Sequence, residues 1–347
     1  MSAPNIKLAA NLTLDVADAR PPTKPEANAQ AQVGPVPLPH EHKVHPTNPG
    51  GENATLTFVG TATTLLEWRG LRIMTDPNFL HAGDHVHLGP GVTAKRLTNP
   101  SIPLNQLPPI HLVLLSHYHE DHFDKLVEDR LRRDLPIVTT PHAAHHLTTA
   151  QYEGEPFTAV TALDTWEAAD IIARDAKFRV TAMPGKHVQT GMMEMVNKAI
   201  GALPPTNGWM VELFGAERKP YRIYISGDTL MVDELKTIPQ NFPHVDLMLV
   251  HLGGTTIPAP NIPLLMVTMD AEQGIQLVHL INPDVTIPIH YDDYDVFKSP
   301  LKACYRSPSC EVDADISYQD FQDLVTQAGL DQKVVYLNRG DQYSFKV

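Results

Sequence analysis

The chain has little cysteine, a shortage of positive charge and no long apolar run, and each lack narrows what it can do. Two cysteines in 347 residues, Cys304 and Cys310, imply neither a disulfide scaffold nor a thiolate metal site, and both read as ordinary thiols. Lysine and arginine number 27 against 40 acidic residues, a formal net charge of -13. That balance argues against a nucleic-acid backbone as the main partner, although a locally positive metal site can still take a phosphodiester. No stretch reaches the roughly 18 apolar residues of a membrane helix, and no membrane association is expected. The start, Met1-Ser2-Ala3-Pro4-Asn5, lacks a basic segment followed by an apolar core. A soluble, cytoplasmic protein is the expectation.

What the chain does have is uneven along its length. Residues 1–50 are rich in proline and polar groups, as in Arg20-Pro21-Pro22 and Pro35-Val36-Pro37-Leu38-Pro39, and predict an irregular arm. Residues 51–347 predict one domain. Alternation from Thr55 to Val59, then Thr63 to Trp68 and Leu71 to Thr75, reads as three strands separated by Gly60 and Arg69-Gly70. The histidine- and glycine-containing stretch from Phe79 to Gly91 reads as a loop. Further on, strands are expected at Leu112–Ser116, Pro136–Thr139, Phe178–Ala182, Gly208–Leu213, Tyr221–Ile225, Val245–Val250, Val285–Ile289 and Lys333–Leu337. Helices are expected at Phe123–Leu131, from Pro141, near Val232–Leu235, at Asp270–Ile281 and at Tyr318–Ala328. Strands first and then mixed units, twice over, suggest a layered sandwich with helices outside the sheets.

The densest chemistry is Ser116-His117-Tyr118-His119-Glu120-Asp121-His122, directly after the apolar run Leu112-Val113-Leu114-Leu115. Three imidazoles and a carboxylate at the mouth of a buried strand suit two metal ions. Further candidate ligands recur just after strand-like runs: His187 after Met183-Pro184-Gly185-Lys186, Asp228 after Ile225-Ser226-Gly227, and His290 after Ile287-Pro288-Ile289. Neutral imidazoles with carboxylates suit zinc, and manganese or iron are compatible with the same mixed donors.

With His-x-His-x-Asp-His carried as His117, His119, Asp121 and His122, the chain resembles the metallo-β-lactamase-fold hydrolases over roughly residues 54–340. The resemblance implies an α/β fold of the αβ/βα sandwich type and two divalent metal ions, zinc foremost. It implies that His117, His119 and His187 hold one ion, that Asp121, His122 and His290 hold the other, and that Asp228 bridges them. Asp76 matches the early aspartate that orients a loop and a ligand. Water acidified between the metals is the expected nucleophile, and Asp121 is expected to orient it as a catalytic residue.

Around the metals, His251 follows a strand and is expected to act as an oxyanion donor or proton shuttle. Lys186, Tyr291, Asp292-Asp293 and the loop from Phe79 to His85 are further candidates for the pocket. The ligand framework resembles most the branch with ascorbate-6-phosphate lactonase and N-acylphosphatidylethanolamine phospholipase D. The leading expectation is hydrolysis of a small cyclic ester or amide. A phosphodiesterase of a small or lipid-like substrate is the alternative, and a non-catalytic metal-binding protein is a third.

Overall fold

Period-two alternation in the central strands decides the layering. In Leu112–Leu115, Leu112 and Leu114 enter one apolar cluster while Val113 and Leu115 enter another. In Leu247–His251, Leu247 and Leu249 join the first of these clusters, and Met248 and Val250 join a third. Strands that are apolar on both faces must be covered on both. Two sheets therefore share one core, and each carries helices outside.

The computed structural model describes residues 3–24, 38–89, 91–149, 155–189, 191, 195, 197, 203–215, 219–259, 262–297 and 321–347. It shows an αβ/βα sandwich. One seven-stranded sheet runs Lys7–Thr13, Glu167–Ala173, Ala176–Pro184, Asn207–Leu213, Tyr221–Ile225, Leu247–His251, Val285–Ile289. The eight-stranded sheet facing it runs Val160–Ala162, Ile137–Thr139, Leu112–Leu115, Leu71–Thr75, Thr63–Trp68, Ala54–Gly60, Gln342–Phe345, His42–Val44. Helix Ala271–Ile281 covers the first sheet with Ala271, Leu277, Val278 and Ile281. It starts where the Asp270 side chain accepts from the Gln273 amide at 2.9 Å and ends at left-handed Asn282. Among the described residues no helix is long and apolar enough to cross a membrane.

Strand direction then places the chemistry. Tyr221–Ile225, Leu247–His251 and Val285–Ile289 are mutually parallel, as are Leu71–Thr75, Leu112–Leu115 and Ile137–Thr139. Their carboxyl ends lead into Asp228, His251, His290, Asp76 and His117. Loops leaving parallel strands share one rim of the sheet, where rigid ends can hold converging side chains.

Four expectations need correction. The stretch expected as an irregular arm contributes two strands: Lys7–Thr13 pairs parallel to Glu167–Ala173, and His42–Val44 pairs parallel to Gln342–Phe345. Edge pairing uses main-chain groups, so it needs no periodic side-chain face. Glu167–Ala173 itself was not expected, because Glu-Ala-Ala-Asp-Ile-Ile-Ala favours helix locally and the sheet overrides it. The expected strand Lys333–Leu337 reduces to a bridge between Thr286 and Val334, and the terminal strand is Gln342–Phe345. Within the loop from Phe79 to Gly91, His85–His87 forms a short hairpin with Thr93–Lys95. Cys304, Cys310 and the start of the expected helix at Tyr318 lie outside the described residues.

Leu249 is fully buried in the core shared by the two sheets. Leu249→Ala is expected to lower stability by about 3 kcal/mol through lost transfer energy and a residual cavity. A urea denaturation series measures this as a lower midpoint at unchanged slope. A loss well under about 1 kcal/mol would mean that this layer is not what holds the sheets together.

Candidate metal centre

The site begins where strand Leu112–Leu115 ends. The Ser116 amide donates to Asp76 Oδ1 at 2.7 Å, which ties the ligand loop to the neighbouring strand end. After the loop, Asp124 caps helix Lys125–Arg130 by accepting from the Val127 amide. The same carboxylate accepts from the Phe79 and Leu80 amides, so the ligand loop and the Phe79 loop share one anchor. Burial pushes the Asp124 carboxyl up to about 6, against the pull of those amides and Arg96.

The loop brings its histidines to residues far away in sequence. His117, His119 and His187 form one group of converging ligand atoms, and Asp121, His122, Asp228 and His290 form a second. His117 Nε2 and His119 Nδ1 stand 3.2 Å apart, and the His117 and His187 rings lie 4.7 Å apart. In the second group His290 Nε2 is 3.5 Å from Asp121 Oδ2 and 3.6 Å from Asp228 Oδ1, while His122 Nε2 is 3.3 Å from Asp228 Oδ2. All seven residues but His119 are buried.

In four of the five rings the second nitrogen is held from behind. His187 Nδ1 meets the Val267 carbonyl at 3.1 Å and His290 Nδ1 the Leu252 carbonyl at 3.0 Å, so both rings donate there. His117 Nδ1 meets Ser116 Oγ at 2.9 Å, and His122 Nδ1 lies 3.5 Å from Asp76 Oδ2. Such contacts fix both ring orientation and tautomer. Thr268 Oγ1 donates to Asp228 Oδ2 at 3.0 Å. Two ligand-loop positions, Asp76 and His290, adopt left-handed backbone at φ 34° and 63°. Strain of that kind persists where the surroundings over-determine it.

Electrostatics test whether cations fit. Asp121 Oδ1, His122 Nε2, His187 Nε2, Asp228 Oδ1 and His290 Nε2 are buried without a hydrogen-bond partner. Buried polar atoms are seldom left so, and here they point at one another. Burial and the neighbouring imidazoles hold His117 well below the usual histidine range and bring His119 down to about 3. Burial opposes charge on His122 and His290 too, but the Asp228 and Asp121 carboxylates outweigh it and raise both. Burial likewise opposes charge on Asp228, and His290 and His122 pull it well below the usual carboxylate range. Protons on His122 and His290 thus supply positive charge that the carboxylates require. The donor set fits two divalent cations.

The other candidates fall around this centre. His251 is fully buried and groups with Asp76 and His122. Its Nδ1 meets Ser226 Oγ at 3.2 Å, and its Nε2 lies 3.8 Å from Asp76 Oδ2. Lys186 pairs with Glu234 at 2.6 Å. The Tyr291 hydroxyl donates to the Leu337 carbonyl at 3.3 Å. Asp292 and Asp293 meet Arg339, and buried Asp293 also meets buried Arg96 at 3.3 Å and accepts from the Thr61 amide at 2.8 Å. These groups brace the loop after His290. Not anticipated were Arg96, Asn78, Ser226 and Thr268, whose roles depend on contacts across the fold. An apolar cluster including Val188, Val267, Tyr294 and Phe297 packs beside the ligands, with the Phe297 ring 4.4 Å from that of His290.

Comparison with known proteins agrees with this geometry. The family model described as beta-lactamase superfamily domain matches residues 72–291. The chain belongs to that superfamily. A UPF0173 metal-dependent hydrolase of Archaeoglobus fulgidus is 25% identical over 291 residues, 84% of this chain and 98% of the relative. The mitochondrial N-acyl-phosphatidylethanolamine-hydrolyzing phospholipase D of Saccharomyces cerevisiae is 26% identical over 180 residues, 52% of this chain and 35% of the relative. An isothiocyanate hydrolase from Delia radicum gut bacteria shares the fold with a TM-score of 0.63 at 16% identity, covering 84% of this chain and all of that one. Family membership and the two clustered ligand groups together make this chain a metal-dependent hydrolase with a dinuclear divalent-metal site.

Gly227 turns the chain into Asp228 at φ 62°, and a Cβ there would lie 2.5 Å from the Asn207 carbonyl oxygen. Gly227→Ala is expected to lose more than about 1 kcal/mol and to lower bound metal per chain. Urea unfolding and elemental analysis measure the two effects. Wild-type values in both would show that this turn does not seat Asp228.

Proposed function

We propose that the protein hydrolyses a small, uncharged carbonyl compound, foremost a cyclic ester or amide, at this dinuclear centre. The observation that carries the reading is the setting of the ligands. Seven ligand residues converge, an apolar cluster packs beside them, and the nearby Lys186, Arg96 and Arg339 are committed to Glu234, Asp293 and Asp292. An anionic substrate needs uncommitted cations to offset its desolvation, whereas a neutral ester does not.

His117, His119 and His187 would hold one ion and Asp121, His122 and His290 the other. Asp228 would lie between them, since its charge acts on His117 and His187 as well as on His122 and His290. The imidazole and carboxylate set favours zinc, with manganese or iron compatible. When bound, such ions polarise a carbonyl oxygen and lower the pKa of water toward about 7. Asp121 Oδ1, buried without a partner, is the acceptor that orients a water proton. His251 acts as a positioning residue: with Asp76 it backs His122 and keeps that ring in register.

A second reading, cleavage of a lipid-like phosphodiester, draws on the yeast relative, whose name describes hydrolysis of an N-acyl phospholipid. The apolar cluster beside His290 suits an acyl chain equally well. Both readings keep the framework of the branch with ascorbate-6-phosphate lactonase and N-acylphosphatidylethanolamine phospholipase D.

A panel of lactones, lactams and bis-aryl phosphodiesters ranks the two readings. Turnover of lactones or lactams is expected, and turnover confined to phosphodiesters rejects the first reading. Asp228→Ala is expected to cut kcat/KM on whichever substrate turns over by roughly a thousandfold, the scale of about 4 kcal/mol of transition-state stabilisation. His251→Ala is expected to weaken metal binding or lower kcat by about tenfold to a hundredfold, and wild-type values of both would show that His251 does not position His122.

A further inference from the structure

We propose that His142 and His146 form a separate site for one late first-row divalent transition-metal ion, with copper(II) held most tightly and nickel(II) and zinc(II) less so. The site shares no ligand with the dinuclear centre and does not depend on what that centre hydrolyses.

The two histidines lie on helix Pro141–Thr148, which starts where Thr140 Oγ1 accepts from the Ala143 amide at 3.1 Å. A spacing of four places both rings on one face, one turn apart. His142 Nε2 and His146 Nε2 approach to 3.2 Å, with ring centroids 4.4 Å apart. With metal–nitrogen bonds of about 2.1 Å, that separation corresponds to a nitrogen–metal–nitrogen angle of about 100°. This lies between square and tetrahedral values, so the separation of the two ring nitrogens suits one shared ion.

The surroundings hold the pair in place. The His146 ring stacks on Tyr118 at 5.0 Å and 4°, and the Tyr118 hydroxyl donates to both Glu128 carboxylate oxygens at 2.9 and 2.8 Å. Both histidines are half-buried, and burial together with neighbouring imidazoles lowers their basicity, so both rings are neutral at pH 7 with lone pairs to share. Without an ion, one ring must donate its Nε2 proton to the other. Buried His142 Nδ1 has no hydrogen-bond partner, so it is open to carry the ring proton while Nε2 ligates. Imidazole pairs follow the order in which copper(II) exceeds nickel(II) and zinc(II). His145, exposed on the same helix with its ring 6.1 Å from that of His146, is the natural control.

The test titrates copper(II) into the protein carrying its native metals. Elemental analysis follows copper bound minus native metal released, and electron paramagnetic resonance follows nitrogen hyperfine coupling. Wild type and His145→Ala are expected to take one copper beyond the metal released, with coupling from two nitrogens. His142→Ala, His142→Gln and His146→Ala are expected to lose that equivalent while keeping their native metal, which shows that they remain folded. The proposal is overturned if wild type takes no extra copper. It is equally overturned if the equivalent survives in the His142 and His146 variants, or if His145→Ala abolishes it.

Discussion

Buried negative charge is the constraint on which the rest of this molecule depends. Asp76, Asp121 and Asp228 are buried within reach of the same few imidazoles. Burial alone would drive each carboxyl to its neutral form, and the facing histidines, joined at Asp76 by the Ser116 amide and at Asp228 by Thr268, hold all three below the usual carboxylate range. An uncompensated buried carboxylate is costly enough that a chain normally avoids it. This chain gathers three because the place where they meet is meant to be positive. Bound divalent ions complete a balance that His122 and His290 otherwise meet with protons.

Meeting that constraint shapes the backbone far from the ligands. Parallel strands deliver residues from well-separated segments to one rim, and four of the five ligand rings are held by a second contact from behind. Left-handed His290 is kept in place by the Arg96–Asp293–Arg339 ion pairs and by its own amide bond to the Thr61 carbonyl at 2.9 Å. Asp124 performs a like task on the other side, capping a helix and holding the Phe79 loop at once. Much of the buried polar structure thus exists to keep ligands still rather than to add stability for its own sake.

How much of this was legible in the sequence follows from how local each signal is. The strand before the ligand loop, the helix Ala271–Ile281 and the ligands themselves could be read because alternation, capping and strand-end position are written in adjacent residues. The resemblance then supplied the pairing of ligands; the structure brings His117, His119 and His187 together and places Asp228 with Asp121, His122 and His290. Glu167–Ala173 was missed because its propensity is helical and its neighbours in the sheet decide otherwise. Arg96 was missed for a related reason: a lone arginine in a loop gives no sign that an aspartate 197 positions later will meet it. Asp292 and Asp293 were noticed for the wrong reason, since adjacency to His290 marks a brace as readily as a pocket wall.

The same division separates what the family shares from what this chain chooses. Seven candidate ligands occupy only a few strand ends and loops of the fold. The hairpin of His85–His87 and Thr93–Lys95, Val188 after His187, and Phe297 meet in one apolar cluster, with the Phe297 ring 4.4 Å from that of His290. A centre that stabilises charge developing on oxygen acts on carbonyl and phosphoryl groups alike. The uncharged substrate proposed above rests on Lys186, Arg96 and Arg339 being already committed to carboxylates.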